Sequence, residues 1–278
     1  MTEAYEIRLR RVVQHIFDHP AGDLSLDALA EVAALSRFHF HRVYHAMTGE
    51  TAAQAVRRIR AHRAAHWLLR TDWPLAQVAA AAGYDNAQSF ARAFRGQFGL
   101  TPAAFRKSGR DTPPALTLRT GVPLMFPVTI AERPALRLAA LPHRGAYHEI
   151  GKAFQQVCAV FSARQLWDQA RGTVGVYYDS PQSVAEPDLR ADAGIAVPEG
   201  FDLPSDLHET RLPGGRYAVM TVKGPYAQFP QAWDQLYCNW LPCSGSEPAD
   251  SPPYEFYLND PTDTAPAELL TEICVPLK

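Results

Sequence analysis

The feature that most constrains this chain is an internal repeat of about 50 residues within its first 108 residues. Four small or apolar residues recur at an offset of 49: Leu26, Leu29, Ala30 and Ala33 match Leu75, Val78, Ala79 and Ala82. Five more recur at an offset of 50: Phe40, Arg42, Tyr44, Gly49 and Thr51 match Phe90, Arg92, Phe94, Gly99 and Thr101. The offset changes inside a turn, where chain length is least constrained. We therefore expect residues 1–108 to fold as two similar units.

Each unit is predicted to consist of a short helix, a tight turn and a second helix. The apolar residues lie at helical spacing, and the Ser36 hydroxyl is placed to cap the second helix of the first unit. Gly83 suits the left-handed conformation that ends a helix, whereas Ala34 stands at the matching place of the first unit. Residues 52–70 are predicted to form one long helix between the units. The pattern is that of two helix-turn-helix motifs on one linker helix.

Polar or short side chains cover the outer face of each predicted second helix. On the first they are Arg37, His41, Arg42 and His45, and on the second Asn86, Gln88, Ala91, Arg92 and Arg95. Arginine, asparagine and glutamine can pair with base edges through two hydrogen bonds, and a short side chain such as Ala91 can meet a thymine methyl. Two such helices would enter major-groove segments about 34 Å apart. A purely structural helical bundle is the alternative, but it does not explain the second copy.

Ordered motifs occupy the stretch from Leu24 to Lys107. They are Leu35-Ser36-Arg37-Phe38-His39-Phe40-His41-Arg42, Thr48-Gly49-Glu50-Thr51, Ala82-Gly83-Tyr84-Asp85, Phe90-Ala91-Arg92-Ala93-Phe94 and Phe98-Gly99-Leu100-Thr101-Pro102. At this spacing the stretch resembles the DNA-binding domain of the AraC/XylS family of transcription regulators. The resemblance implies contact with double-stranded DNA by Phe38, His41, Arg42, Ala87, Gln88, Ala91 and Arg92. Arg37 and Asn86 join this candidate set from the polar faces, and RNA polymerase is a further expected partner.

Length and composition indicate a two-domain globular protein. The 278 residues exceed one usual hydrophobic core, and 47% of them are hydrophobic. Residues 1–110 carry 15 Lys and Arg against 9 Asp and Glu, whereas residues 111–278 carry 12 against 20. The basic half suits a polyanion and the acidic half a neutral or cationic ligand. No apolar run approaches the roughly 18 residues that cross a bilayer, so a soluble, cytoplasmic bacterial protein without a membrane partner is expected.

The four cysteines, Cys158, Cys238, Cys243 and Cys274, form no CxxC pair and have no histidine at metal-ligand spacing. We expect buried reduced thiols, with neither a disulfide framework nor a metal site. No cofactor is expected.

The second half of the chain has a different pattern and its own repeat. Polar, glycine and proline residues around 107–114 indicate a linker, which gives three segments: a DNA-binding domain (1–108), a linker (109–124) and a second domain (125–278). Gly145, Tyr147, Phe154 and Val157 recur at an offset of 79 as Gly224, Tyr226, Trp233 and Leu236. Gly175, Tyr177 and Pro181 match Glu255, Tyr257 and Pro261, and Ile195, Val197 and Pro198 match Ile273, Val275 and Pro276. The predicted fold is thus multidomain, an all-α double helix-turn-helix domain followed by an α+β domain of two strand-helix-strand-strand units around a cleft.

Short motifs in this half resemble the GyrI-like domain, which also forms the C-terminal domain of Rob. They are Gly145-Ala146-Tyr147, Gly224-Pro225-Tyr226 with Trp233, Tyr254-Glu255-Phe256-Tyr257-Leu258-Asn259-Asp260-Pro261 and Glu272-Ile273-Cys274-Val275-Pro276-Leu277. The resemblance implies an aromatic pocket with a central glutamate that receives cationic or amphipathic small molecules. The candidate ligand-binding residues are Glu255, Tyr147, Tyr226, Trp233 and Tyr257.

Strand alternation makes Glu255 the central candidate. It shares a face with Tyr257, while Phe256 points the other way. A carboxylate among aromatic rings loses solvation unless a donor or a cation satisfies it, as in a cation-binding cleft. The alternatives are a solvated Glu255 on an edge strand, Tyr147 and Tyr226 as structural caps of their turns, and Trp233 as a core residue.

Three functions are consistent with these patterns. The first is a regulator in which a small-molecule effector bound by the second domain changes DNA binding or polymerase contact by the first. The second is a hydrolase in which Glu255, its pKa raised by burial, activates water, although no Ser-His-Asp, Cys-His or metal constellation accompanies it. The third is an adaptor whose second domain binds a protein. The first is favoured, with no catalytic residue assigned.

Overall fold

A computed structural model describes residues 3–108 and 126–278. The chain divides into two compact units, here called the helical unit and the sheet unit, which we describe separately. The predicted linker, 109–124, lies outside the described residues. In the described part of the chain, no helix is both long enough and apolar enough to span a membrane.

The helical unit contains the two predicted helix-turn-helix motifs. Its helices are α1 (Glu3–Asp18), α2 (Leu26–Val32), α3 (Arg37–Thr48), α4 (Ala52–Arg70), α5 (Leu75–Ala81), α6 (Ala87–Phe98) and α7 (Pro102–Ser108). The motifs are α2–α3 and α5–α6, and α4 is the linker helix with the predicted bounds. Phe90 and Phe94 of the second motif, together with Phe105 of α7, are buried against α4 residues such as Ala64 and Leu68. The apolar stripes therefore form the core that sets the two motifs on one helix.

Side-chain caps begin four of these helices, and the Thr101 hydroxyl caps α7 by accepting the amide of Ala104. Ser25 caps α2, Asn86 caps α6 through the amide of Ser89, and Thr51 forms a reciprocal capping box with Gln54 at the start of α4. The predicted Ser36 cap is wrong, because Ser36 lies at the N-cap of α3 but its side chain makes no capping hydrogen bond. The capping box therefore fixes the start of the linker helix α4 with two hydrogen bonds.

Three arginines of α4 turn inward and brace the helical unit. Arg58 pairs with Glu50, whose side chain is mostly shielded from solvent. Arg60 donates to the carbonyl of Pro20 over 2.7 Å. The guanidinium of Arg63 lies 4.5 Å from the ring centre of Phe17 and 5.0 Å from that of Trp67. Part of the positive charge of this half is therefore structural.

The sheet unit is one eight-stranded antiparallel sheet with helices on it. Its strands are β1 (Val128–Arg133), β2 (Leu136–Arg144), β3 (Thr173–Tyr177), β4 (Arg190–Val197), β5 (His208–Leu212), β6 (Gly215–Lys223), β7 (Tyr254–Tyr257) and β8 (Leu270–Pro276). Helix α8 (Gly151–Ala163) follows β2, and α9 (Phe229–Gln235) follows β6 and continues into a π-helical turn (Leu236–Trp240) and α10 (Leu241–Ser244). Each repeat therefore has one strand more than the sequence predicts, β1 and β5.

The strand order is β1-β6-β8-β7-β3-β4-β2-β5, which is symmetric about the β7–β3 pair when the two repeats are exchanged. Each added strand pairs with the other repeat, β1 with β6 and β5 with β2. Only residues 134–135 separate β1 from β2, and only 213–214 separate β5 from β6. A Cβ on Gly214 would lie 2.7 Å from the amide nitrogen of Ala135, so these links touch. The sheet must therefore curl until its ends meet.

The two faces of the curled sheet have different neighbours. Inside the curl, apolar residues such as Leu138, Val176 and Tyr254 form a closed core. On the other face, α8 packs on β2 and β4, and α9 contacts β6. Ala153 of α8 lies in one buried cluster with Tyr177 of β3, against which Trp233 of α9 packs. The centre of this helix-bearing face holds the candidate ligand residues.

Strand pairing corrects one part of the predicted repeat. Gly175 pairs with Ala193 and the matched Glu255 pairs with Ile273, so Ala193, not Ile195, is the counterpart of Ile273. Ile195 and Ile273 are identical residues, but they stand two positions apart in the register of the two repeats. A slip of two keeps every side chain on its correct face, so the predicted facing is unaffected.

The turns of the two motifs give a stability test. Gly83 has φ +76°, and a Cβ there would lie 2.4 Å from the carbonyl oxygen of Pro20 and 2.8 Å from Nη2 of Arg60. Gly83→Ala should therefore destabilise the helical unit by about 2 kcal/mol or more. Ala34 has φ +52° at the matching turn, so Ala34→Gly should instead stabilise it by up to about 1 kcal/mol.

Urea unfolding followed by far-ultraviolet circular dichroism measures both changes. Two variants with equal free energies of unfolding would contradict the assigned turn geometry.

Candidate functional site

The second helix of the second motif, α6, presents most of its candidate residues to solvent. Ala87, Gln88 and Arg92 are exposed, and Ala91 is half-buried. Asn86 is also exposed, but its Oδ1 accepts the backbone amide of Ser89 at 2.8 Å and caps the helix. Phe90 and Phe94 hold the opposite side of α6 in the core. The exposed face of this helix thus carries the amide of Gln88 and two long cations, Arg92 and Arg95.

The second helix of the first motif, α3, differs from the prediction at His41. This residue was expected on the outer face, but it is 2% exposed, and its Nδ1 donates to the carbonyl of Arg37 at 2.8 Å. Burial, with a contribution from nearby Arg42, lowers the His41 pKa to about 3. His41 is therefore neutral near pH 7. The side chain turns back along its own helix, which periodicity alone does not reveal.

The other candidates on α3 are only partly available to DNA. Arg37 is exposed and lies 5.8 Å from the half-buried ring of Phe38. Arg42 is half-buried and donates to the carbonyl of Phe38 at 2.6 Å. Helices α3 and α6 are alike in sequence but present unequal polar faces.

Glu255 lies on the central strand β7 and is 2% exposed. Its Oε2 accepts from the hydroxyls of Tyr177 at 2.8 Å and Tyr257 at 2.7 Å. Its Oε1 accepts from Nε1 of Trp233 at 2.9 Å. The solvated edge-strand alternative is therefore wrong for this residue. The predicted facing holds, because Phe256 packs on the inner core while Glu255 and Tyr257 lie on the helix-bearing face.

The aromatic rings around Glu255 come in matched pairs from the two repeats. Tyr177 meets Tyr147 edge to face at 4.9 Å between ring centres, and Tyr257 meets Tyr226 at 5.7 Å. Tyr177 also meets Trp233 at 6.4 Å, and Tyr257 meets Phe154 at 5.4 Å. The six rings therefore surround the position where β3 and β7 pair.

Two substitutions between the repeats break this symmetry. Gly175 pairs directly with Glu255 across the two central strands. A Cβ on Gly175 would lie 3.0 Å from the Tyr177 hydroxyl, so the glycine makes room for that ring to reach the carboxylate. Phe154 stands where the second repeat has Trp233 and offers no N–H. Within the six described rings, the site thus holds one buried carboxylate, Glu255, and one indole donor, Trp233.

The predicted ligand-binding residues Tyr147 and Tyr226 differ in their contacts and in their exposure to solvent. The Tyr147 hydroxyl donates to the carbonyl of Arg190 at 2.8 Å and accepts the amide of Asp179 at 3.1 Å, so Tyr147 also secures the loop before β4. Tyr226 is exposed at the rim of the ring cluster. Tyr177 was not predicted as a site residue, although the repeat pairs it with Tyr257. That pairing was the available signal.

Burial and the neighbouring Glu255 raise the pKa of both Tyr177 and Tyr257 well above the ordinary value. Both hydroxyls therefore keep their protons and remain donors at neutral pH. Burial, Asp260 and Glu255 also raise the pKa of Tyr226. The ring cluster is thus a neutral hydrogen-bonding shell around one carboxylate.

A second carboxylate, missed by sequence reasoning, lies on the inner side of the sheet. Asp192 of β4 is 6% exposed and accepts from Tyr178 at 2.7 Å and Thr210 at 2.6 Å. His208 lies 3.2 Å from it. These bonds connect β4 to the edge strand β5 and to Tyr178, which directly follows β3, so no sequence spacing brings the residues together.

The cysteines and metal-ligand residues give no further site in the described residues. None of the four cysteines, all of which lie in the described residues, forms a disulfide; Cys238 and Cys274 are buried, Cys158 is half-buried, and Cys243 is exposed, contrary to the expected burial. No group of three or more histidine, cysteine, aspartate or glutamate residues in 3–108 and 126–278 could hold a metal ion.

Residues 126–278, more than half of the chain, match the family described as the GyrI-like small molecule binding domain. The chain belongs to the GyrI-like family. Residues 29–108 match a second family, described as a helix-turn-helix domain, and this is an AraC-type domain. The protein therefore combines an AraC-type helix-turn-helix domain with a GyrI-like small-molecule-binding domain.

Individual proteins resemble one half or the other of this GyrI-like chain. The DNA gyrase inhibitor of Yersinia enterocolitica is 31% identical over 136 residues, 47% of this chain and 85% of the relative. The crystal structure of the EcmrR C-terminal domain matches 56% of this chain and 99% of its own, with 15% identity and a TM-score of 0.46. The C-terminal domain of AraT, a response regulator of Geobacillus stearothermophilus, matches 38% of this chain and 87% of its own, with 30% identity and a TM-score of 0.34.

The tyrosine pKa shifts predict the response of the sheet unit to alkaline pH. Tyrosines of the unfolded chain ionise near pH 10, whereas Tyr177 and Tyr257 stay protonated in the folded state. Their contribution to stability is therefore complete below pH 10 and declines as the pH rises above it, by at most about 1.4 kcal/mol per pH unit for each group. Tyr177→Phe and Tyr257→Phe should each flatten this decline.

Unfolding free energies measured between pH 9 and 11 test the effect. Tyr226→Phe, at the exposed rim, is the control and should change the slope less. Wild-type slopes in both buried-site variants would contradict the assigned protonation.

Proposed function

We propose that this protein is a sequence-specific DNA-binding transcription regulator whose GyrI-like domain senses a small cationic, aromatic effector at Glu255. The observation that carries the proposal is the buried carboxylate within six aromatic rings. Double-stranded DNA and the effector are its partners, and RNA polymerase is a further partner expected of such a regulator.

The surroundings of Glu255 favour a cation over an anion or a neutral molecule. Its donors Tyr177, Tyr257 and Trp233 are neutral, so they disperse the carboxylate charge without cancelling it. In a site of low dielectric this charge attracts a cation more strongly than it does in water. Aromatic faces add attraction for an organic cation. Exposed Tyr226 lies where a ligand would first contact the ring cluster.

The helical unit supports DNA recognition mainly through α6. Arg92, Gln88 and Ala87 are exposed together on this helix, and arginine and glutamine are side chains that read bases by paired hydrogen bonds. In α3 the neutral, buried His41 supports neither a phosphate nor a base contact. We therefore assign most base reading to the second motif and a supporting role to Arg37, Phe38 and Arg42.

Two alternatives remain distinct from this proposal. A hydrolase would need Glu255 to accept a proton from water, but both of its oxygens already accept hydrogen bonds, so the geometry favours this use less. The curated relative named a DNA gyrase inhibitor favours a second candidate, in which residues 126–278 act on a protein. Inhibition of gyrase supercoiling by the purified chain, with no cation binding, would support that candidate.

Glu255→Gln tests the effector site. The amide keeps the shape of the carboxylate but removes its charge, so affinity for phenyltrimethylammonium should fall several-fold or more, while affinity for its neutral isostere tert-butylbenzene should change little. Titration calorimetry on the full chain measures both.

Glu272→Gln is the matched control for this experiment. Glu272 lies beside Phe256 on the neighbouring strand, pairs with Arg133 on the inner side, and carries the same charge. Equal losses in both variants would indicate a general charge effect. Unchanged cation binding by the Glu255 variant would place the effector elsewhere.

Arg92→Ala tests the assignment of base reading to α6. The change should cost about 1–3 kcal/mol in binding to DNA that the wild-type chain selects from a random pool, with a smaller loss on shuffled DNA. Arg42→Ala should cost less, because Arg42 is half-buried and bonded to its own helix. Equal losses of Arg92→Ala on both DNAs would indicate a phosphate contact, and no loss would refute the assignment.

A further inference from the structure

Gln235 holds the backbone at the point where the described sheet unit begins. Its Nε2 donates to the carbonyl of Phe126 over 2.7 Å, and its Oε1 accepts the amide of Phe126 at 3.1 Å. Gln235 is 1% exposed. A buried amide that pairs in both directions fixes the position and the orientation of the backbone it contacts, and losing such a partner leaves buried polar groups unsatisfied.

The same turn of α9 also reaches the candidate effector site. Trp233, two residues before Gln235, donates to Glu255. Residues two apart on a helix point in nearly opposite directions, so α9 lies between the carboxylate and Phe126. Immediately after Gln235 the helix widens into the π-helical turn, Leu236–Trp240. Such turns interrupt the regular hydrogen bonds of a helix and are frequent at functional sites.

The first repeat provides an internal comparison. At the offset of 79, Gln156 is the counterpart of Gln235 and Phe154 that of Trp233. Gln156 is exposed, and α8 runs from Gly151 to Ala163 without a π-helical turn. The buried glutamine, the indole donor and the π-helical turn therefore occur together, in the repeat that carries the carboxylate.

We propose that Gln235 is the positioning residue that couples the effector site to the chain segment leading to the helix-turn-helix domain. This inference rests on the proposed function. A cation that engages Glu255 changes the hydrogen bonding of Trp233 and shifts α9, and Gln235 transfers that shift to Phe126. Residues 109–125 join Phe126 covalently to α7. The coupling requires only that the ligand favour one of two positions of α9.

The test uses the full chain and two methionine variants. Gln235→Met keeps the length of the side chain but removes both bonds to Phe126, and Gln156→Met makes the same change at the exposed counterpart. Calorimetry measures phenyltrimethylammonium binding without DNA. Affinity for the DNA selected by the wild-type chain is then measured with and without saturating phenyltrimethylammonium.

In the wild type and in Gln156→Met the cation should change DNA affinity by about five-fold or more. Gln235→Met should bind the cation like the wild type, yet its DNA affinity should no longer respond. Gln235→Glu keeps the acceptor for the Phe126 amide and removes the donor to the Phe126 carbonyl, so its DNA affinity should respond to the cation only partially. This variant provides the test if Gln235→Met does not fold.

Three results would overturn the coupling: a wild-type response in both Gln235 variants, loss of cation binding together with the response, or no response in the wild type. A wild-type chain that fails to bind the cation in the calorimeter refutes the proposed function instead, before any DNA is added, and the coupling falls with it.

Discussion

The hydrogen bonding of one buried carboxylate organises the sheet unit. An ionised group in a protein interior costs several kcal/mol unless donors surround it. Glu255 meets this requirement with Tyr177 on β3, Tyr257 on its own strand and Trp233 on α9. The central strands and one covering helix are therefore joined at the same two oxygens. A change in the hydrogen bonding of this carboxylate therefore affects β3, β7 and α9 together.

Duplication supplies the scaffold for this site, and a few unmatched residues give it direction. The strand order is symmetric, and four of the six rings are matched tyrosines. The two repeats differ at three matched positions. The first repeat has Gly175, Phe154 and the exposed Gln156, where the second has Glu255, Trp233 and the buried Gln235. Two equivalent carboxylates facing each other would repel, so a single charge at the axis is also the more stable arrangement.

In the helical unit the positive charge divides between structure and recognition. Arg58, Arg60 and Arg63 of α4 brace neighbouring elements, whereas Arg92 of α6 is exposed. An excess of arginine therefore overstates the charge available to DNA. Long arginine side chains can bury their stems and still satisfy their guanidinium groups on carbonyls or rings, which makes them suitable braces.

The sequence by itself determined the two domain types, the two helix-turn-helix motifs with the bounds of α4, and the shared face of Glu255 and Tyr257, because periodicity and repetition are local properties of the chain. Only the tertiary structure decided that β1 and β5 pair with strands of the other repeat, that His41 is buried and that Gln235 bonds to the backbone of Phe126. Each of these depends on contacts between residues far apart in the chain. Their geometry is fixed by sheet closure and helix packing, and no spacing in the sequence encodes it.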